Sequence, residues 1–328
     1  MSDTLSRYLQ RFAKLRPNVN RARWTEATCY SAPHKPLLLL SVIQLVEEGL
    51  VRQNLIEPSP DLCEAFARYW SCVLPTSPRG NLALPFYHLS SSGFWHLKAQ
   101  SGRETELEAV STIDSLRRLM ELVHGAQLDD ELFTLLLLPA SRTTLRLMLL
   151  ERYFSLASQK LLRQQLAIDA RAVDYSRILL AGDPTAKVQE VLAIQDRYQV
   201  AVRDQGFRRA VVIAYDRRCA MCGIRILTVA GHTAVDAAHI DPWCESRNDS
   251  PTNGLALCKL CHWAFDEGML AVAEQHSILV SPQLTAFHNI AAHLGTLRDR
   301  PLLLPLESRY WPDSAALRKH RSHVYQAR

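Results

Sequence analysis

Apolar positions recur mostly at helical spacing, and only a few short stretches read as strands. Residues 1–30 predict a helix followed by a basic, irregular stretch. Pro36 to Glu48 is apolar nearly all round, which predicts a buried helix. Pro36 suits its first turn, where a missing N–H is harmless, and Gly49 is its stop. Residues 61–73 predict another helix. Leu84–Leu89 and Gly93–Leu97 read as two short strands joined by a Ser-rich turn. Residues 104–160 read as helical, with Leu107, Val110, Ile113, Leu116 and Met120 in register and a second amphipathic run from Leu145 to Phe154. Richness in Gln, Arg and Asp over 161–200, a break at Gly182-Asp183-Pro184 and a linker helix over 187–202 place a domain boundary near 190. The expected division is 1–190 and 191–328. Residues 203–218 predict a helix leading directly into Cys219. Val235–Ile240 has strand character, Asp241-Pro242-Trp243 ends it as a turn, and His262 opens a helix. The fold class expected is α+β, with a mostly helical N-terminal domain carrying a small sheet.

Composition adds limits. A chain of 328 residues, 48% hydrophobic and 22% charged, suits two soluble globular domains. The apolar run Leu132–Leu138 is interrupted by Thr134 and ended by Pro139, too short to span a bilayer. The first twenty residues carry Arg7, Arg11, Lys14 and Arg16 without an apolar core, unlike a signal peptide. A cytoplasmic protein with no membrane association is expected. The net charge is +5, and its distribution says more than its size. Arg11, Lys14, Arg16, Arg21 and Arg23 occur with no acid among them, and Arg318-Lys319-His320-Arg321 stand in a row. Each group reads either as a phosphate-contacting patch or as a solvated face. Four of eight cysteines lie in two Cys-x-x-Cys pairs. Cys29, Cys63, Cys72 and Cys244 are scattered, which fits a reducing compartment better than a disulfide framework.

His34 and Lys35 enter the N-terminus of the buried helix, where free N–H groups and the dipole favour anions. A cationic pair there would attract a phosphate; the alternative is a capping His34 and a solvated Lys35. Arg79, His88 and several aromatics cluster nearby in sequence, as on a nucleic-acid surface, although Phe86 and Trp95 fit a core better. Pro33-His34-Lys35-Pro36-Leu-Leu-Leu-Leu, followed by Pro85-Phe86-Tyr87-His88-Leu89 and Gly93-Phe94-Trp95, resembles the N-terminal module of predicted HNH restriction endonucleases. It is also similar to DNA sulfur-binding domains, which recognise phosphorothioate backbones. The similarity covers roughly residues 30–97 and implies a DNA-reading module. Candidate DNA contacts are His34, Lys35, Arg21, Arg23, Arg79 and His88.

Cys219/Cys222 and Cys258/Cys261 form two knuckles separated by 35 residues. Four thiolates close a tetrahedral structural zinc site, a staple that a segment with little core needs. A redox role lacks the βαβ context it would require. Between the knuckles lie His239 and Asn253, and His262 follows directly. Asp266 sits one turn after His262 on the same helix face, a spacing at which the pair can hold one divalent cation. His239 could then act as general base on a water. Arg208 and Arg209, on the preceding helix, would face DNA.

Cys-x-x-Cys, Ala-Ala-His-Ile, Asn-Gly-Leu-x-Leu-Cys-x-x-Cys-His and Phe-Asp-x-Gly together resemble an HNH nuclease of the ββα-metal fold, restriction-type branch, over about residues 203–280. By that resemblance His239 is the general base, Asn253 the loop-holding residue that orients it, His262 a metal-binding catalytic residue and Asp266 the further metal ligand. The family implies phosphodiester hydrolysis with one Mg²⁺ or Mn²⁺ and a 3′-oxygen leaving group. Many HNH nucleases carry Asp or His immediately before the base, whereas this chain has Ala238; Asp236, two residues back, is the candidate replacement ligand. The expectation is a two-domain, metal-dependent endonuclease acting on double-stranded DNA as a restriction enzyme, with phosphorothioate or methyl recognition open. Two strand cuts imply a homodimer or paired binding. The alternatives are a DNA-binding regulatory or structural protein on a degenerate HNH fold, and an RNA or toxin-type nuclease.

Overall fold

The structure, a computed structural model, describes residues 3–77, 80–182, 188, 190–193, 196–228, 233–284 and 291–327. It divides into two compact units. The first holds residues 1–170 with 228–232, the second residues 171–227 and 233–328. The division falls inside one continuous helix, twenty residues before the boundary expected from composition; the 182–184 break lies partly outside the described residues.

Unit 1 is built on helix α2 (His34–Glu47), buried from Pro36 to Val46 on every side. Its sequence leaves no polar face, so it must be surrounded. Around it pack α3 (Pro60–Val73), α4 (Ala83–His88), α7 (Asp130–Leu137) and α8 (Pro139–Tyr153), while α1 (Asp3–Ala13) packs on α7 and α8. Gly49, at φ +65°, ends the helix region as expected. Strand β1 (Trp95–Ala99) pairs antiparallel with β2 (Val123–Leu128), Trp95 opposite Leu128. Helices α5 (Glu104–Ala109) and α6 (Leu116–Leu122) lie between them in sequence.

Two expectations are corrected here. Leu84–Leu89 is no strand: Ala83–His88 is helical and Leu89–Ser92 is a 3₁₀ turn. Pro85 fits the first turn of a helix as well as it fits an extended segment, and Phe86 is buried either way. The stretch 104–160 is not helical throughout, because Val123–Leu128 is the partner strand of β1. Gly125 and the apolar positions 123, 126 and 128 sit between helical runs and show no strand period of their own.

Unit 2 begins with the C-terminal part of α9 (Leu156–Ala181), followed by α10 (Asp196–Ala214). Strand β3 (Val235–His239) runs antiparallel to β4 (Gly254–Cys258), with the short α11 (Trp243–Ser246) in the loop between them. Helix α12 (Lys259–Asp266) follows β4 directly, completing a ββα unit. A second pair, β5 (Leu270–Val272) and β6 (Ile278–Val280), then α13 (Ala292–Gly295) and α14 (Ser314–His323), complete it. Among the described residues no single helix is long and apolar enough to cross a membrane.

The basic run of the tail is absorbed by structure. Lys319 Nζ donates to Asp241 (2.7 Å) and Glu245 (2.9 Å), and Arg321 donates to the Val272 carbonyl (2.7 Å). His320 is buried, stacked on Phe265 at 3.7 Å between ring centroids. Its Nε2–H donates to the Phe265 carbonyl (3.0 Å), while its Nδ1 has no partner. A second proton would therefore place an unpaired charge in the core. Burial lowers the imidazole to about 4 from an ordinary 6.5. Below pH 6.5 the unfolded chain takes up a proton that the native chain refuses, so this contribution to stability is complete above 6.5 and falls away down to about 4. Urea unfolding midpoints should drop between pH 7 and pH 4.5, and His320→Leu should flatten that drop.

Candidate functional site

The four paired cysteines converge. Cys219 and Cys222 form a tight knuckle in which the Gly223 N–H donates to the Cys219 carbonyl (2.9 Å). The Ala220 N–H donates to the Ala256 carbonyl of β4 (2.7 Å), which moors the knuckle beside the sheet. Cys258 ends β4 and caps α12; Cys261 lies in the helix's first turn. All four sulfurs lie within 4.8 Å of one another, Cys222 and Cys258 at 3.7 Å. Four ligands on a Zn–S bond of about 2.3 Å would stand about 3.8 Å apart, so the set fits a tetrahedral metal. Mutual hydrogen bonding splits the thiols: Cys219 falls to about 7 and Cys258 falls further, while Cys222 and Cys261 rise.

His239 ends β3 opposite Gly254 of β4. A Cβ at Gly254 would stand 2.5 Å from Val211 and 3.0 Å from the Phe207 ring. The glycine thus lets α10 lie directly against the sheet end, where Phe207 stacks on His239 at 3.8 Å and 9° between planes. His239 Nε2 bonds Asp249 Oδ1 at 3.0 Å. Asp249 is buried, and its other oxygen accepts from Arg203 Nε (2.9 Å), Arg203 Nη2 (2.7 Å) and Tyr175 Oη (2.8 Å). Burial alone would push its carboxyl up, but the bonds from His239, Arg203 and Tyr175 outweigh burial and hold it below the usual carboxylate range. Arg203 is stacked on Trp243 at 3.6 Å, and Arg247 covers the same ring at 3.9 Å. Gly206 allows this convergence, because a Cβ there would meet Tyr175 Cδ1 at 2.7 Å.

Asn253 is fully buried. Its Nδ2 donates to the carbonyls of Asp241 and Asn248 (2.9 Å each), and its Oδ1 accepts from the Asp241 N–H (2.9 Å). Its own carbonyl accepts from the Ile240 N–H (2.9 Å). One side chain therefore fixes both ends of the 240–253 loop.

His262 Nε2 and Asp266 Oδ2 stand 3.4 Å apart on one face of α12. Burial pushes the Asp266 carboxyl up, and His262 pulls it back. Asp236 does not join them. The period of a strand puts it with Ala238, on the face opposite His239. Its carboxylate accepts from Arg208 Nε (2.8 Å) and the Ala237 N–H (3.0 Å). Ala238 is itself fully buried. Among the described residues the cysteines are the one group of three or more potential metal ligands close to one another, and Asp236 is engaged by Arg208 instead of standing in such a group.

The HNH endonuclease family matches residues 219–273. Residues 219–273 form an HNH endonuclease domain. No curated protein matches the chain. Among solved structures, a modification-dependent TagI restriction endonuclease is similar at 25% identity and a TM-score of 0.27. The match spans 36% of this chain and 37% of that one.

Outside the HNH domain, four of the six N-terminal candidates, Arg23, His34, Lys35 and His88, line a cavity of about 390 Å³ in unit 1, and Arg21 does not. Arg16, Arg23, Trp24, His34, Lys35 and His88 are in its wall. The cationic His34–Lys35 pair is corrected. Burial, reinforced by Arg23, lowers His34 to about 4, so it is neutral near pH 7. It packs edge-on to Trp24 (5.5 Å) and Trp70 (4.8 Å). Lys35 donates to the Leu15 carbonyl (3.3 Å) and Ser91 (3.4 Å), and burial lowers its ammonium as well. Arg23 lies over Trp24 and Arg21 over Tyr30. Arg208 is turned to Asp236, and Arg209 also has an interaction partner. Arg79 lies outside the described residues.

Sequence reasoning missed Asp249, Arg203, Tyr175 and Phe207. Asp249 belongs to a polar loop without period, and Tyr175 stands 74 positions away from it. The one available signal was Gly206 inside a helical pattern, which marks a close approach. Asn253→Ala should leave the Asp241 N–H and two carbonyls unpaired and cost about 2–4 kcal/mol of unfolding free energy, read from denaturant titration of the full chain.

Proposed function

We propose that the chain is a metal-dependent DNA endonuclease of restriction type, in which unit 1 selects DNA and the HNH domain hydrolyses it. The observation that carries this reading is the HNH match over a ββα unit that retains His239, Asn253 and His262. His239 is half-buried and fixed in plane by Phe207, so it can take a proton from a water without first ordering itself. Asn253 holds the loop that carries Asp249 and orients the base. The cysteine set is assigned to a structural zinc, which closes all four positions and leaves none for chemistry. His262 and Asp266 would hold one Mg²⁺ or Mn²⁺, an ion that keeps several waters and accepts few protein ligands. When bound, such an ion supplies charge stabilisation to the reacting phosphate and the leaving oxygen.

The unit 1 cavity supports DNA selection. It joins an aromatic wall, Trp24 and a neutral His34, to the cations Arg16, Arg23 and Lys35. Such a mix suits a less hydrated or modified backbone group better than a bare phosphate, because a half-buried cation and apolar rings both lose by facing bulk water. A phosphorothioate is therefore preferred over methylated DNA as the mark. Cleavage of both strands calls for two copies, and a cytoplasmic setting accords with the unpaired thiols.

With Mg²⁺ or Mn²⁺ the full chain should nick or cut plasmid DNA, a chelator should stop it, and His239→Ala should lose at least about 100-fold. Equal behaviour of wild type and His239→Ala would instead leave a DNA-binding protein, and cleavage confined to RNA would favour the toxin-type reading. Full-chain binding to unmodified, methylated and phosphorothioated duplexes should be strongest for the last, and Lys35→Ala should weaken it.

A further inference from the structure

The carboxylate behind His239 belongs to neither the H-N-H residues nor the metal ligands. Asp249 is 4% exposed at its side chain, and Arg203 is 11% exposed. Such a buried ion pair needs excellent geometry to be tolerated. Here Asp249 Oδ2 receives both guanidinium bonds and the Tyr175 hydroxyl, which leaves Oδ1 for His239 Nε2. A carboxylate with three donors on one oxygen stays an acceptor, so the nitrogen it meets must carry a proton. No described residue bonds Nδ1 of His239. The Phe207 ring lies against one face of the imidazole, 3.8 Å away and 9° from its plane.

We propose that Asp249 is the positioning residue of the HNH site, holding His239 with its proton on Nε2 so that Nδ1 is the basic nitrogen. The proposal rests on the endonuclease reading above. In the step it describes, Nδ1 takes a proton from the attacking water as the water oxygen bonds to phosphorus. The phosphorus–3′-oxygen bond breaks, and the leaving oxygen takes a proton from solvent. The imidazolium keeps its Nε2–H bond to Asp249, which remains ionised between Arg203 and Tyr175. The groups facing His239 are Asp249 from the loop and Arg203 and Asp204 from α10, with Tyr175 of α9 behind Asp249. The β4 sequence opposite, Gly254 to Cys258, carries no charged residue. Removing the Asp249 charge would leave the Nε2–H of His239 without its anionic partner.

Asp249→Asn keeps the volume and removes the charge. Its single-turnover cleavage rate constant should fall roughly 100-fold while KM changes less than about threefold. A wild-type rate, or a lowered rate matched by an equal rise in KM, overturns the proposal. Nitrogen-15 NMR of the wild-type histidines gives an answer that does not depend on the variant folding. Protonated Nε2 and bare Nδ1 at His239 near neutral pH support the proposal, and the reverse tautomer overturns it. Cleavage by His239→Ala at the wild-type rate would strike the endonuclease reading instead, independently of Asp249.

Discussion

Four sulfur atoms at the junction of β4 and α12 are the constraint on which the rest of unit 2 depends. Cys258 and Cys261 sit where the strand becomes the helix, and Cys219 and Cys222 are brought to them by a knuckle bonded to β4. That junction sets the angle between β4 and α12, and so places His262 and Asp266. The antiparallel register carries the same constraint to His239, opposite Gly254. A two-stranded sheet and an eight-residue helix bury too little surface to fix such an arrangement alone. A metal at the sulfurs would supply what the small core lacks.

The remaining order comes from polar groups that are buried and fully partnered. Asn253 satisfies three backbone groups at the loop ends, and Asp249 is held by Arg203, Tyr175 and His239. Unpaired, either residue would be costly; paired, each admits one loop conformation. At the C-terminal side the tail adds a third tie, with Lys319 on Asp241 and Glu245. The loop that carries Asp249 is therefore gripped by Asn253 within it, by α10 and by α14. These bonds hold the loop in one place in the free chain.

Much of this was legible in the chain because the chemistry is local. Cys-x-x-Cys pairs, a His beside the last Cys and an Asp four residues on need only a strand, a turn and a helix to become a site. The apolar run at Leu37–Leu40 could form only a buried helix, and it does. What stayed hidden depended on distant packing. The strand nature of Val123–Leu128 follows from pairing with Trp95–Ala99 and from no local preference. The neutrality of His34 follows from burial between two tryptophans that the sequence places 46 positions apart. The Arg208 bond that engages Asp236 spans 28 positions and has no local signal. Asp249 was indistinguishable from any polar loop residue until α9 and α10 closed on it.

The claim that a metal at the four sulfurs frames the site is tested most directly by metal analysis combined with thermal unfolding of the full chain. One zinc per chain is predicted, lost together with unit 2's cooperative unfolding when Cys258 is changed to Ser or a strong chelator is added. A metal-free chain that unfolds at the wild-type temperature with the same cooperativity would contradict it.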